Sequence, residues 1–133
     1  MIRTAILCAA LAGPAAGQSL CEILNQHDGD TLELAYGRAH CGESLALGGA
    51  RNVHCVLVFA YRSEDATRVF EELVQEVTEC VGSSATITTD QSVNHPDAYD
   101  LREFQDGTRA YAVSIKDKGA LQQTLVFVRV SRP

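Results

Sequence analysis

The chain has 133 residues, 46% hydrophobic and 21% charged, a composition that excludes wholesale disorder and gives enough material for one domain but not two. Lys and Arg number 11 against 17 Asp and Glu, a net charge of −6. An acidic chain repels nucleic acid and anionic lipid, so neither is expected as a partner.

Met1 to Gly17 reads as a secretory signal peptide. Arg3 is its only charge, Thr4 to Gly13 is a short apolar run, and Ala15 and Gly17 supply small residues for cleavage. The run is about half as long as a bilayer-spanning helix, so membrane insertion is not expected. Cleavage after Gly17 leaves a single domain of 116 residues, 18–133, with a net charge of −7. The expected location is periplasmic or secreted. Cys8 leaves with the leader, and Cys21, Cys41, Cys55 and Cys80 remain, an even set that predicts two disulfides. Leu20 before Cys21 is too large for a lipoprotein site.

Ser19 can cap a short helix over Leu20–His27, with Leu20, Ile23 and Leu24 on one face. Asp30 and Glu33 have capping-box spacing, and Leu32, Ala35, Tyr36 and Ala39 recur at helical intervals. Leu32, Leu34 and Tyr36 also alternate as in a strand, but the cap favours a second helix. Ser44–Leu47, Gly48-Gly49 and Asn52–Tyr61 read as a β-hairpin, whose second strand is apolar enough to be covered on both sides.

Ser63 to Cys80 is the clearest helix. Ala66, Val69, Phe70, Leu73, Val74 and Val77 form its apolar stripe, Ser63 is a good N-cap, and Gly82 can stop it. The remainder is β. It comprises Ala85–Asp90, a turn at Asn94-His95-Pro96-Asp97, Ala98–Phe104, Arg109–Lys116 and Gln122–Val130. A three-residue loop, Gln105-Asp106-Gly107, would pair Leu101 with Tyr111, Tyr99 with Val113 and Glu103 with Arg109, with Gly107 left-handed. The fold class is therefore α+β. An antiparallel sheet of five or six strands carries the long helix on one face, and the N-terminal helical segment covers an edge or the other face.

The strand after Cys55 climbs and the helix to Cys80 descends by similar lengths, which predicts Cys55–Cys80 and leaves Cys21–Cys41. His40-Cys41 and His54-Cys55, with Glu43 nearby, are metal-ligand types. However, neighbouring residues on a strand point to opposite faces and an oxidised cysteine is no thiolate, so no metal or other cofactor is expected. There is no Cys-x-x-Cys pair and no Gly-x-Ser-x-Gly elbow, and no catalytic residue is assigned.

Glu72, Glu76 and Glu79 form one acidic stripe on the long helix, a candidate interaction face for a basic protein partner. The expected function is a non-catalytic binding module for a protein or small ligand. The competing reading is a small exported enzyme or metal-binding protein built on His40, His54 and nearby carboxylates.

Overall fold

The computed structural model describes residues 17–45, 47–83, 85–91 and 99–132. The leader, apart from Gly17, and the expected turn around His95 lie outside the described residues.

The elements run α1 (Leu20–Gln26), β1 (Thr31–Leu34), β2 (Gly37–Leu45), β3 (Arg51–Ala60), α2 (Glu64–Cys80), β4 (Thr86–Asp90), β5 (Tyr99–Asp106), β6 (Arg109–Lys118) and β7 (Gln123–Arg132). The seven strands form one antiparallel sheet in the order β1-β2-β3-β7-β6-β5-β4, with the long helix α2 packed on it. This is the expected α+β class with more strands than expected.

The extra strands come from the segment after Asp30. The expected second helix is a hairpin in which Thr31 pairs with His40 and Leu34 with Gly37. Gly37 has φ of 135°, a conformation that favours glycine and closes the turn after Ala35-Tyr36. Glu33, which would have completed a capping box, instead takes a hydrogen bond from Arg38 across the hairpin. Alternation of Leu32 and Leu34, both half-buried against the core, prevails over local capping.

The helix α2 forms as its sequence dictates. The Ser63 side chain accepts from the Ala66 N–H at 3.1 Å, and Ala66, Val69, Phe70, Leu73 and Val77 are buried. They pack on inward-facing Val53, Cys55, Leu57, Val113, Val126, Val128 and Val130. Truncating one such side chain costs about 2–5 kcal/mol.

Contrary to the expected place on an edge or the other face, the N-terminal helix α1 lies beside α2 on the same face and buries Leu20, Cys21 and Leu24 there, where Cys21 reaches the end of α2. Its last carbonyls are capped by Arg132, whose guanidinium donates to the oxygens of Leu24 at 2.5 Å and His27 at 3.0 Å, a favourable charge for a helix C-terminus. Among the described residues no helix packs on the opposite sheet face. Val58 on β3 is 50% exposed there, so β3 is covered on one side only, not on both.

Both expected disulfide pairings are overturned. The bonds are Cys21–Cys80 and Cys41–Cys55. Once β2 reaches back to Gly37, Cys41 stands directly opposite Cys55 in the β2–β3 register. Level along the sheet does not fix position across it, and the cysteine beside the end of α2 belongs to α1.

The β5–β6 register also differs from the expected one. Asp106 pairs with Arg109 around a Gly107-Thr108 turn, which sets Phe104 opposite Tyr111 and Arg102 opposite Val113. Gly107 has φ of 61°, left-handed as expected, and it takes the first turn position, where a type II′ turn wants glycine.

Candidate functional site

Helix α2 has two flanks. On the β2 side, the turn of the β1–β2 hairpin lifts Tyr36 to the helix, where its hydroxyl meets the carboxylates of Glu76 and Glu72. Burial, then the charges of Glu76 and Glu72, push the Tyr36 hydroxyl up to about 12. Burial likewise raises the Glu76 carboxyl, and Glu72 and Glu79 add to the rise against the Tyr36 hydrogen bond. Glu72 also accepts from Arg68 at 3.3 Å, and Glu79 accepts from Gln75 at 3.1 Å. The acidic stripe is therefore partly turned inward. Two of its three members hold the hairpin tip, and Glu79 stays at the surface.

On the β5 side the helix leaves a cleft of about 360 Å³. Phe70, Val74 and Ile115 give it an apolar floor, and its walls carry polar groups from three adjacent strands. Arg102 donates to both Asp100 oxygens, at 2.9 and 3.1 Å, and its guanidinium lies 5.7 Å from the centre of the Phe70 ring. The Asp100 hydrogen bond holds the Arg102 guanidinium above its ordinary pKa.

At the other end Asp117, 9% exposed, accepts from the Thr124 hydroxyl at 2.7 Å and faces Arg62 at 3.5 Å. The Thr124 oxygen in turn accepts from the Arg62 N–H at 2.8 Å. Arg62 has φ of 56°, uncommon for a residue with a side chain. The network thus fixes the β3–α2 turn in a costly conformation and places its guanidinium at the mouth of the cleft. Such strain is retained where surrounding contacts over-determine it.

These residues were legible in one respect only. Asp100, Arg102, Asp117 and Thr124 occupy inward positions of β5, β6 and β7, where the alternation calls for apolar side chains. Polar residues breaking the pattern on three neighbouring strands mark a site. The signal depends on the correct β5–β6 register.

Among the described residues the cleft has no histidine or cysteine in its lining, and its hydroxyls at Ser63 and Thr124 are engaged in the cap and the Asp117 network. His40 and His54 lie on the other face of the sheet. Gly42 stands opposite His54, and a side chain there would meet the imidazole at 3.0 Å, so the ring lies over the glycine. The depression beside His54 is lined by Asn52, Arg129 and Phe127 among others, with no carboxylate and no second histidine among the described residues.

One trio has metal-ligand spacing. The ligand atoms of His27, Cys41 and Cys55 lie within 4.8 Å of one another, but both sulfurs are in the disulfide and offer no thiolate. Lys116, Lys118 and Arg129 fall on the face away from the helices by register, with Glu103 facing Arg129 there.

No protein-family model, curated protein or solved structure matches this chain.

Proposed function

We propose that this protein is an exported, non-catalytic binding module whose α2–β5 cleft receives its ligand. The observation that carries this reading is the pairing of an apolar floor with polar walls in which Asp100 and Asp117 each pair with an arginine while Glu71 stands at the rim. Such a site binds by shape and by a few fixed polar contacts, the usual anatomy of a recognition pocket. Of its carboxylates, Asp100 is held by Arg102 and Asp117 by Thr124 and Arg62, an arrangement that favours recognition over proton transfer. The alternative built on His40 and His54 gains no support from the described lining beside His54, which brings neither His40 nor a carboxylate to it.

The partner is a basic protein segment that sets an apolar side chain on Phe70 and a Lys or Arg against Glu71 at the rim. The carboxylates along α2 and the net charge of the mature chain steer such a partner, and binding weakens as salt rises. Two disulfides fit an oxidising compartment, and no helix among the described residues is long and apolar enough to cross a membrane. Export is tested by intact mass. The exported form begins at Gln18, and retention of residues 1–17 refutes the export reading.

Binding is tested by capture from the native envelope or medium with three baits. Wild type retains the partner, and Thr67→Trp, which fills the cleft from an exposed position, loses it. Glu72, Glu76 and Glu79 replaced together by Gln keep the cleft and weaken capture only modestly. Undiminished capture by Thr67→Trp overturns the cleft. Complete loss in the glutamine variant alone moves the site to the acidic stripe.

A further inference from the structure

The Cys41–Cys55 bond links two strands that are held together without it. The β2–β3 register runs unbroken from His40↔Val56 to Leu45↔Arg51, and β3 pairs with β7 along its whole length. Opening the bond therefore leaves the two sulfurs on facing residues of one sheet. A third donor stands beside them. The ligand atoms of His27, Cys41 and Cys55 lie within 4.8 Å of one another. His27 is fixed by contacts that do not involve this bond. Arg132 donates to its carbonyl at 3.0 Å, and Cys21–Cys80 ties the preceding helix to the end of α2. Its Nε2 lies 3.2 Å from the Gly29 carbonyl oxygen. In the tautomer that donates there, Nδ1 keeps a lone pair. A backbone carbonyl holding one ring nitrogen is the support that metal-ligating histidines ordinarily have. His40 and His54 fall on the other face of the sheet by register, so among the described residues His27 is the histidine on the side of the sulfurs.

We propose that Cys41, Cys55 and His27 form a redox-gated site for zinc, masked while the disulfide is closed and exposed when it is reduced. A dithiol reductant attacks one sulfur, the mixed disulfide resolves, and the reductant leaves as its own disulfide. Two electrons and two protons thereby pass to Cys41 and Cys55. The thiols release both protons to solvent as the ion binds, which sets two thiolates and one neutral imidazole around it. A disulfide oxidant reverses both steps and expels the ion. Donors bound to tetrahedral zinc at about 2.0–2.3 Å stand roughly 3.5–3.8 Å apart, so the trio closes on an ion by side-chain rotation with the strands unmoved. Cys55 is buried, and Cys41 and His27 are half-buried, so the ion enters past these two. Three protein donors leave the fourth position of zinc to water or to a donor from a ligand.

The test uses Co²⁺ as a coloured stand-in for zinc. The mature chain is reduced with a phosphine in the absence of oxygen and titrated with Co²⁺ at neutral pH. Reduced wild type develops a thiolate-to-cobalt charge-transfer band and the visible bands of tetrahedral cobalt, both of which Zn²⁺ then abolishes. The oxidised chain develops neither. His27→Ala weakens Co²⁺ binding by at least roughly tenfold and shifts the visible bands, whereas His54→Ala binds as wild type does. Cys41→Ser combined with Cys55→Ser loses the charge-transfer band although the other two thiols are present. Circular dichroism follows the fold of each reduced chain. A chain that loosens on reduction and regains its sheet signal when Zn²⁺ is added supports the site as well, since metal binding is then coupled to folding. Reduced wild type without a charge-transfer band overturns the proposal. So does a His27→Ala variant that binds like wild type, an equal loss in His54→Ala, or a band that survives in the Cys41→Ser, Cys55→Ser chain.

Discussion

The two flanks of α2 meet the same sheet with opposite results. On the β2 side the hairpin tip rises to the helix, and Tyr36 closes the gap against Glu72 and Glu76. On the β5 side the inward groups Asp100 and Arg102 pair with each other, only the Arg102 guanidinium approaches the helix, at Phe70, and a cleft is left. An amphipathic stripe decides which side of a helix is buried. What becomes of the borders of that stripe is decided by the strands facing them. The closed flank ties the hairpin to the helix, and the open one leaves the cleft.

The sharpest way to break the comparison is at their common base. Phe70, 4% exposed, is both core and cleft floor. Phe70→Ala costs about 3–5 kcal/mol, read as a lower urea midpoint. A loss below about 1 kcal/mol would mean the ring is cleft lining only.

Next come the two disulfides, replaced pairwise by Ala. The Cys21–Cys80 loop spans 59 positions and Cys41–Cys55 spans 14. Chain entropy predicts losses of about 4 and about 3 kcal/mol, so the bond at the end of α2 matters more. Denaturant melts of both variants give the order, and the reverse order would point to an enthalpic origin.

A smaller effect separates the flanks directly. Tyr36→Phe removes one hydrogen bond to a carboxylate and costs roughly 1 kcal/mol at neutral pH. Because the folded Tyr36 titrates near 12 against an ordinary 10.0, the native state holds its proton more tightly than the unfolded chain does. Stability is therefore intact below about pH 10 and falls as pH rises towards 12. Melting temperatures across that window fall less steeply in Tyr36→Phe than in wild type. Parallel curves would mean Tyr36 is not engaged with the helix.

The smallest changes belong to the surface. Gln at positions 72, 76 and 79 relieves repulsion while the amide oxygens still accept from Tyr36, and Thr67→Trp touches only the cleft wall. Both shift stability by no more than about 0.5 kcal/mol in thermal melts. A larger loss in the glutamine variant would mean the Tyr36 contact needs charge.

Much of the fold was legible because local signals agreed. Ser63, the stripe from Ala66 to Val77 and the acidic first turn all point to one helix, and alternation located every strand after it. Where local signals conflicted, the wrong one was favoured. Asp30 and Glu33 spell a helix cap, but Leu32 and Leu34 needed the core more than the cap needed them. That single misreading hid β1 and β2 from Gly37 to Glu43, and with them the alignment of Cys41 with Cys55. The cleft escaped for a related reason. Its polar residues stand out only against the correct strand register, and a turn of Gly107-Thr108 rather than Gln105 to Gly107 changes every pairing on β5.

The connectivity of the cysteines also sets a problem for a chain that folds as it oxidises. In the reduced chain, chance encounter favours near neighbours, and Cys21 has Cys41 twenty positions away but its true partner 59 away. Of the three encounters between successive cysteines, only Cys41 with Cys55 is native. The β2–β3 hairpin can close in microseconds, whereas disulfides form over seconds or longer. By setting Cys41 and Cys55 opposite each other first, the hairpin withdraws both from competition and leaves Cys21 and Cys80 only each other. Strand register thus acts as the proofreader of the second bond, and a change that slows the hairpin raises the yield of mispaired chains before it alters the finished fold.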